Sequence, residues 1–246
     1  MSALKKTLVV LDAVLESRQP IGLAELTKLL DENKGTLHRR LQQLEREGVL
    51  LRNGHGRYAA GPRLSTLALH ALLSSNHAAP VRALLDKVAD EVEESCTIGV
   101  LQGFDYVVTE LSESPKSLRT HMHVGSRAQA HCLAGGKVLL ADLDAASLQR
   151  LIGANRLEAR TRNTITRRPA LESELVNVRA KGYALNNQES LDDVVAIAVP
   201  IRGRGERVVA ALTLHGPTSR LSLKACRAHL PRLQRAASQI ARIWYA

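Results

Sequence analysis

The chain has 246 residues, 45% of them hydrophobic and 24% charged, with a formal net charge of +10 at neutral pH. That length and balance fit one large or two ordinary globular domains and exclude wholesale disorder, while the positive surplus favours polyanionic partners. No apolar run reaches the roughly 18 residues of a membrane helix, and three scattered cysteines (Cys96, Cys132 and Cys226) suit neither a disulfide framework nor a closed zinc site.

The first ten residues, MSALKKTLVV, lack the apolar core and cleavage site of a signal peptide, so the expected location is the cytoplasm. Leu4, Leu8, Leu11, Val14 and Leu15 recur at helical spacing and predict a helix over about 4–17. Pro20 and Gly22 end it. Leu23, Leu26, Leu29 and Leu30 mark a second, short amphipathic helix. A turn at Asp31-Glu32-Asn33 follows, in which Asn33 is a candidate N-cap.

The third helix runs from Lys34 to Glu47 and stops at Gly48. Leu37, Leu41 and Leu44 form its buried stripe. At about 100° per residue, Arg39, Gln42 and Arg46 face the other way, flanked by Thr36, His38 and Gln43. Charge changes at the same point: residues 33–57 hold six basic groups against two acidic, whereas residues 1–32 hold four against five. A short helix, a tight turn and a helix with basic and amide groups outward is the order of a helix-turn-helix, whose second helix enters the major groove. There arginine bridges guanine acceptors and glutamine pairs with adenine. The same helices also fit a plain three-helix bundle with a solvated basic face.

Residues 49–52 then read as a strand, Asn53-Gly54-His55-Gly56 as a turn and residues 57–59 as the return strand. A hairpin in this place is a wing, with Arg52, His55 and Arg57 set to reach phosphate or the minor groove. The expected DNA-binding residues are therefore Lys34, Gly35, Thr36, His38, Arg39, Gln42, Arg52, His55 and Arg57.

After Gly61-Pro62, residues Leu64, Leu67, Ala68, Ala71 and Leu72 predict an amphipathic helix that ends in the polar stretch Ser74-Ser75-Asn76-His77. This gives a DNA-binding domain at 1–62, a linker helix at 63–79 and a second domain at 80–246. Pro80 is expected at the start of the next helix, where proline is tolerated. Strands are predicted at 97–101, 106–111, 118–124, 194–201 and 208–214. Helices are predicted near 136–142, 145–152, 170–181 and 222–243. The mixture is that of an α+β domain. On the strand at 208–214, Val208, Ala210, Leu212 and Leu214 share one face; Val209, Ala211, Thr213 and His215 share the other.

Several segments together resemble the IclR-type transcriptional regulators over the whole chain. They are Lys34-Gly35-Thr36-Leu37-His38-Arg39, Gly56-Arg57-Tyr58, Gly61-Pro62-Arg63-Leu64, Val124-Gly125-Ser126-Arg127, Gly136-Lys137, Lys181-Gly182-Tyr183, Gly216-Pro217 and Ser219-Arg220. The resemblance implies a winged helix-turn-helix joined by a linker helix to a GAF-like α/β domain that binds a small effector. It further implies homodimers or dimers of dimers on palindromic double-stranded operators, and an effector that is a small organic (carboxylic) acid of a catabolic pathway. By the same resemblance Ala134, Gly135, Asn186, Val194, Ala196, Thr213 and His215 line the effector pocket. Thr120, His131 and Arg127 lie near them in sequence, and Thr120 completes the expected effector set. Ala134-Gly135-Gly136-Lys137 opens a helix whose free N–H groups suit a carboxylate.

The chain departs from the family at two points: Gly35 stands where serine is usual, and Asp193-Val194-Val195 replaces a Gly-Leu-Arg-like segment. Glycine there weakens the helix by roughly 1 kcal/mol but lets backbone approach DNA closely. Two other readings remain open. One is a non-specific nucleoid-type DNA binder. The other is an enzyme using His131–Cys132 as a base and nucleophile, or His121 and His123 as metal ligands. The expectation is neither: no catalytic residue, no metal, no cofactor and no membrane partner.

Overall fold

The computed structural model describes residues 2–17, 19–73, 75–153 and 156–245. The chain divides into two compact units, Met1–Ser75 and Asn76–Ala246.

The first unit contains α1 (Ala3–Glu16), α2 (Leu23–Leu30), α3 (Lys34–Arg46), the hairpin β1 (Leu50–Arg52) and β2 (Tyr58–Ala60), and α4 (Pro62–Leu73). Asn33 caps α3 through its side-chain oxygen, which accepts from the backbone of Gly35 (2.9 Å) and Thr36 (3.3 Å). Gly48 follows α3 with φ +68°, a left-handed exit that glycine makes without a Cβ penalty. Leu37, Leu41 and Leu44 are buried, as their spacing predicts, with Leu26, Leu50 and Tyr58. Antiparallel pairing of Leu50 with Ala60 and Arg52 with Tyr58 forms the wing, and Ile21 adds a bridge to Tyr58.

The face that α1 buries differs from expectation. Val10, Ala13 and Val14 enter the core, while Leu4, Leu8 and Leu15 are 70%, 50% and 46% exposed. The helix carries two apolar stripes, and the unit's own core covers only one. In α4, the expected stripe positions Ala68, Ala71 and Leu72 have side chains outside the described set. Ser74, in the expected linker, also lies outside the described residues.

The second unit begins with α5 (Ser75–Val92), so Pro80 lies inside this helix rather than at its start. A six-stranded antiparallel sheet follows in the order β5-β4-β3-β8-β7-β6. Its strands are β3 (Ser95–Gln102), β4 (Asp105–Ser112), β5 (Arg127–Gln129), β6 (Ala184–Asn187), β7 (Val194–Arg202) and β8 (Val208–Pro217). The remaining helices are α6 (Ala134–Ala141), α7 (Ala145–Gly153), α8 (Arg168–Lys181), α9 (Leu223–Ala228) and α10 (Leu230–Tyr245). Among the described residues no helix is long and apolar enough to cross a membrane.

The two sheet faces differ in side-chain size. Ile98, Ile197, Val199, Ile201, Leu212 and Leu214 pack against α5, α9 and α10. The opposite face carries small residues, Thr97, Gly99, Ala196, Ala198, Ala211 and Thr213, and receives α6 with α7 and α8 behind it. Strand alternation separates the two sets.

Four expectations are corrected. Residues 118–124 form no strand; they run as an irregular segment with Leu118 and Val124 exposed, and pairing begins at Arg127. The Asn-rich strand β6 went unread, its residues being poor strand formers. A register shift beside Ile201 and Arg202 leaves Val209 bulged, so Val208 packs on the Ala211 face and Val209 on the other. The single helix at 222–243 is two, broken at His229 just before Pro231.

Candidate nucleic-acid interface and ligand pocket

On α3, Lys34, Gly35 and Arg39 are exposed, Thr36 and Gln42 half-buried. Gln43 and Arg46 complete the outward row, whereas His38 turns inward with Nδ1 enclosed and unpartnered. Two basic groups of this region are engaged within the unit. Arg40 pairs with Glu32 at 2.5 Å, tying α3 to the turn before it. Arg57, expected to face phosphate, instead donates to both carboxylate oxygens of Glu25 (2.9 and 2.7 Å) and to the Pro20 carbonyl (2.7 Å). Glu25 also accepts from Gly22 N–H; that bond first, and Arg57 second, hold its carboxyl below the usual carboxylate range. Arg57 therefore braces the wing against α2. Arg52 lies over the Tyr58 ring, 5.8 Å from its centroid, and His55 is exposed at the wing tip. Asn53 shapes that tip by accepting from the backbone of His55 and Arg57, each at 3.0 Å.

In the second unit the small-residue face opens a cavity of about 250 Å³. All eight residues expected at the effector site line it: Thr120, Ala134, Gly135, Asn186, Val194, Ala196, Thr213 and His215. Its floor includes Tyr106, which the sequence reading missed. A Cβ on Gly99 would lie 2.3 Å from the Tyr106 ring and one on Gly135 2.5 Å from it, so the ring fits between two glycines. The Tyr106 hydroxyl lies 3.3 Å from Thr213 Oγ1 and also bonds Thr97. Glycines at matching places on neighbouring elements were the available sign of a ring between them.

Helix α6 starts at this floor. Leu133 precedes it and gives no side-chain cap, so the first N–H groups lack a local acceptor from that residue. The helix's positive end and its free donors therefore abut the cavity. Further along, Lys137 is almost wholly buried and pairs with Glu189 at 2.7 Å, with Glu174 at 3.4 Å beside it. Burial raises the Glu189 carboxyl, and the Lys137 ammonium opposes that rise. The pair fastens the loop after β6 to α6. Asn186 works in the same wall: its amide donates to Cys132 O (2.8 Å) and Ser190 Oγ (2.9 Å), and its oxygen accepts from Glu189 N–H (2.8 Å).

His215 lies on β8 with 5% exposure. Its Nδ1 is 2.6 Å from Thr120 Oγ1, and its Nε2 is enclosed with no partner. Burial lowers its pKa to about 4, so the imidazole is neutral at neutral pH. Arg127 and Arg160 line the outer part of the cavity; Arg127 donates to Gln102.

The groups considered for catalysis are arranged otherwise. His131 and Cys132 lie in a 3₁₀ turn, not on a strand. His131 stacks on Phe104 and bonds the Glu158 carbonyl, while Cys132 Sγ points to Gln129 O. Burial pushes the Cys132 thiol up to about 11, away from thiolate chemistry. His123 bonds the neighbouring Val124 carbonyl. Among the described residues no three His, Cys, Asp or Glu side chains are grouped to hold a metal.

Comparison with known proteins agrees with both units. A model of the IclR helix-turn-helix domain matches residues 3–54, and one of the bacterial transcriptional regulator IclR C-terminal domain matches residues 69–242. The "Probable transcriptional regulator SauR" of Cupriavidus necator is 34% identical over 232 residues, which is 94% of this chain and 92% of that one. The Pca regulon regulatory protein of Pseudomonas putida is 30% identical over 224 residues, 90% of this chain and 76% of that one. The crystal structure of Thermotoga maritima IclR matches with TM-score 0.65 at 23% identity, covering 97% of each chain. The inducer-binding domain of Acinetobacter PobR, a double mutant complexed with 3-hydroxybenzoic acid, matches with TM-score 0.62 at 28% identity. It covers 65% of this chain and 94% of that one. The chain belongs to the IclR family of bacterial transcriptional regulators.

Proposed function

We propose that this regulator binds a palindromic operator sequence-specifically and that a small carboxylic acid controls its affinity. The observation that carries the reading is the cavity of about 250 Å³ at the uncapped start of α6. Free helix N–H groups and the helix dipole favour a carboxylate there, and aliphatic walls from Leu133, Leu191 and Val194 suit its hydrocarbon part. The likeness to the PobR inducer-binding domain, complexed with a hydroxybenzoic acid, supports an acid in this cavity.

On the DNA side, Arg39 and Gln42, with Gln43 and Arg46 beside them, form the base-reading row. Lys34, Arg52 and His55 contact phosphate, with Thr36 and the Gly35 backbone near the helix start. Arg57 contributes by holding the wing in place. The exposed stripe Leu4, Leu8 and Leu15 supports pairing of α1 with a second copy, as a homodimer or within a dimer of dimers. Effector binding then changes the population of operator-binding states through unequal affinity for them.

A gel-shift titration on the protein's own promoter, with and without a panel of small carboxylic acids, tests this. A shift of apparent affinity by some acid is expected. No response to any acid sinks effector control, and equal affinity for operator and random DNA sinks sequence-specific binding.

A further inference from the structure

The carboxylate seat at α6 leaves one feature of the cavity unused, the buried Nε2 of His215. It has no partner, and His215 lines the cavity. Thr120 fixes the ring from the other side, bonding Nδ1 at 2.6 Å. An enclosed polar atom without a bond is costly, and native chains rarely retain one without a reason such as a ligand.

The spacing between this atom and the helix start defines what could bridge them. Gly135, at the start of α6, adjoins Thr213: a Cβ on it would lie 2.8 Å from Thr213 Oγ1. His215 follows Thr213 by two residues on the same face of β8, a separation of about 7 Å along a strand. Between the two poles the lining is apolar, from Leu133, Val194 and Ala196. The cavity therefore has two polar ends and a hydrocarbon-lined middle.

We propose that the effector is a hydroxycarboxylic acid whose carboxylate seats at the start of α6 and whose hydroxyl, several carbons away, bonds His215 Nε2. A hydroxyl both donates and accepts, so it satisfies Nε2 in either tautomer of the ring. A keto oxygen satisfies only one of them. The length excludes 2-hydroxy acids, whose hydroxyl lies next to the carboxylate. A ring-hydroxylated aromatic acid or an ω-hydroxy acid of about six carbons spans the distance and suits the volume. The proposal rests on the carboxylic-acid reading of the same cavity and makes His215 a specificity-determining residue.

Calorimetric titration of the full-length protein with two matched pairs tests it: benzoate against 4-hydroxybenzoate, and hexanoate against 6-hydroxyhexanoate. In at least one pair the hydroxylated member should bind at least tenfold more tightly, and His215→Phe should reduce that advantage to within twofold while leaving binding of the plain acid in place. Equal affinity within both pairs overturns the His215 assignment but leaves the carboxylic-acid reading standing. An unchanged hydroxyl advantage in His215→Phe also overturns it. Binding of none of the four overturns both. Should His215→Phe fail to fold, the wild-type pairs still decide, and His215→Gln replaces it as the second measurement.

Discussion

Arg57 and Glu25 are joined across the base of the wing, the guanidinium donating to both oxygens of a carboxylate that also receives Gly22 N–H. A basic residue that reads in sequence as a phosphate contact is in the fold a brace between hairpin and helix. The two roles predict opposite results for a change at its partner. If Arg57 is a brace, Glu25→Gln lowers operator affinity even though it removes a negative charge near DNA. Arg57→Ala then lowers affinity without changing the salt slope, whereas loss of a phosphate contact reduces that slope by about 1. Both side chains are about half exposed, so the stability effect should stay within about 1 kcal/mol. Because the Glu25 pKa is lowered in the fold, the brace is present above its usual value of 4.5 and is lost as pH falls through the folded value.

Gly35 has no steric need to be glycine, since an added Cβ would meet only Asn33 Oδ1, at 3.4 Å. Gly35→Ala should therefore stabilise the first unit by about 0.5–1 kcal/mol. It should also weaken operator binding several-fold if the helix start approaches DNA closely. Thermal melting and fluorescence anisotropy measure the two effects separately. Gain of stability with unchanged affinity would remove close approach as the reason for this glycine.

His215 gives a pH signature. Burial lowers its pKa from 6.5 to about 4, so between these values the unfolded chain binds a proton that the native protein does not. Stability then rises with pH across that window and is lost as pH falls through it, by roughly 3 kcal/mol in all for this group. Burial also lowers the His131 pKa, in the same direction. Urea unfolding at pH 4.5 and 7 should show a smaller pH difference in His215→Phe than in wild type; an equal difference would contradict the assignment.

The pair of Lys137 and Glu189 is buried, so removing one member should be expensive. Lys137→Met is expected to destabilise by about 3 kcal/mol at neutral pH, because Glu189 loses its counter-charge. The loss should shrink at pH 5, where a carboxyl already raised by burial takes up a proton. A double variant, Lys137→Met with Glu189→Leu, should recover much of the stability. Denaturation of the three proteins at both pH values checks this.

Leu8 is half exposed on the uncovered stripe of α1. Leu8→Glu should change the melting of the isolated first unit by no more than about 0.5 kcal/mol, yet shift the full chain toward monomer in sedimentation. A dimer that persists in the variant would place the interface elsewhere.

Much of the first unit was legible because its signals are local: the Asn33 cap, the Leu37, Leu41 and Leu44 stripe, and the glycine-rich turn at 53–56. What stayed hidden depends on contacts distant in sequence. Nothing near Arg57 announces Glu25, 32 residues away. The alternation at 118–124 imitates a strand, but that segment has no ladder partner, and Thr120 is held by His215 across 95 residues. For α1 the pattern gave the helix but not which of its two apolar stripes the core would take. The pocket residues were found through family resemblance rather than periodicity, and Tyr106, which depends on glycines in two other elements, escaped both.

The unequal faces of the sheet in the second unit divide its mutational freedom. Residues such as Ala196, Ala198 and Thr213 border empty space, whereas Ile197, Leu212 and Leu214, their immediate neighbours in the chain, are locked into a filled interior. A lineage could exchange one chemical signal for another by single substitutions on the open side, without disturbing the scaffold that carries them. Diversification of what is sensed and preservation of architecture are thus written into alternate letters of the same strands.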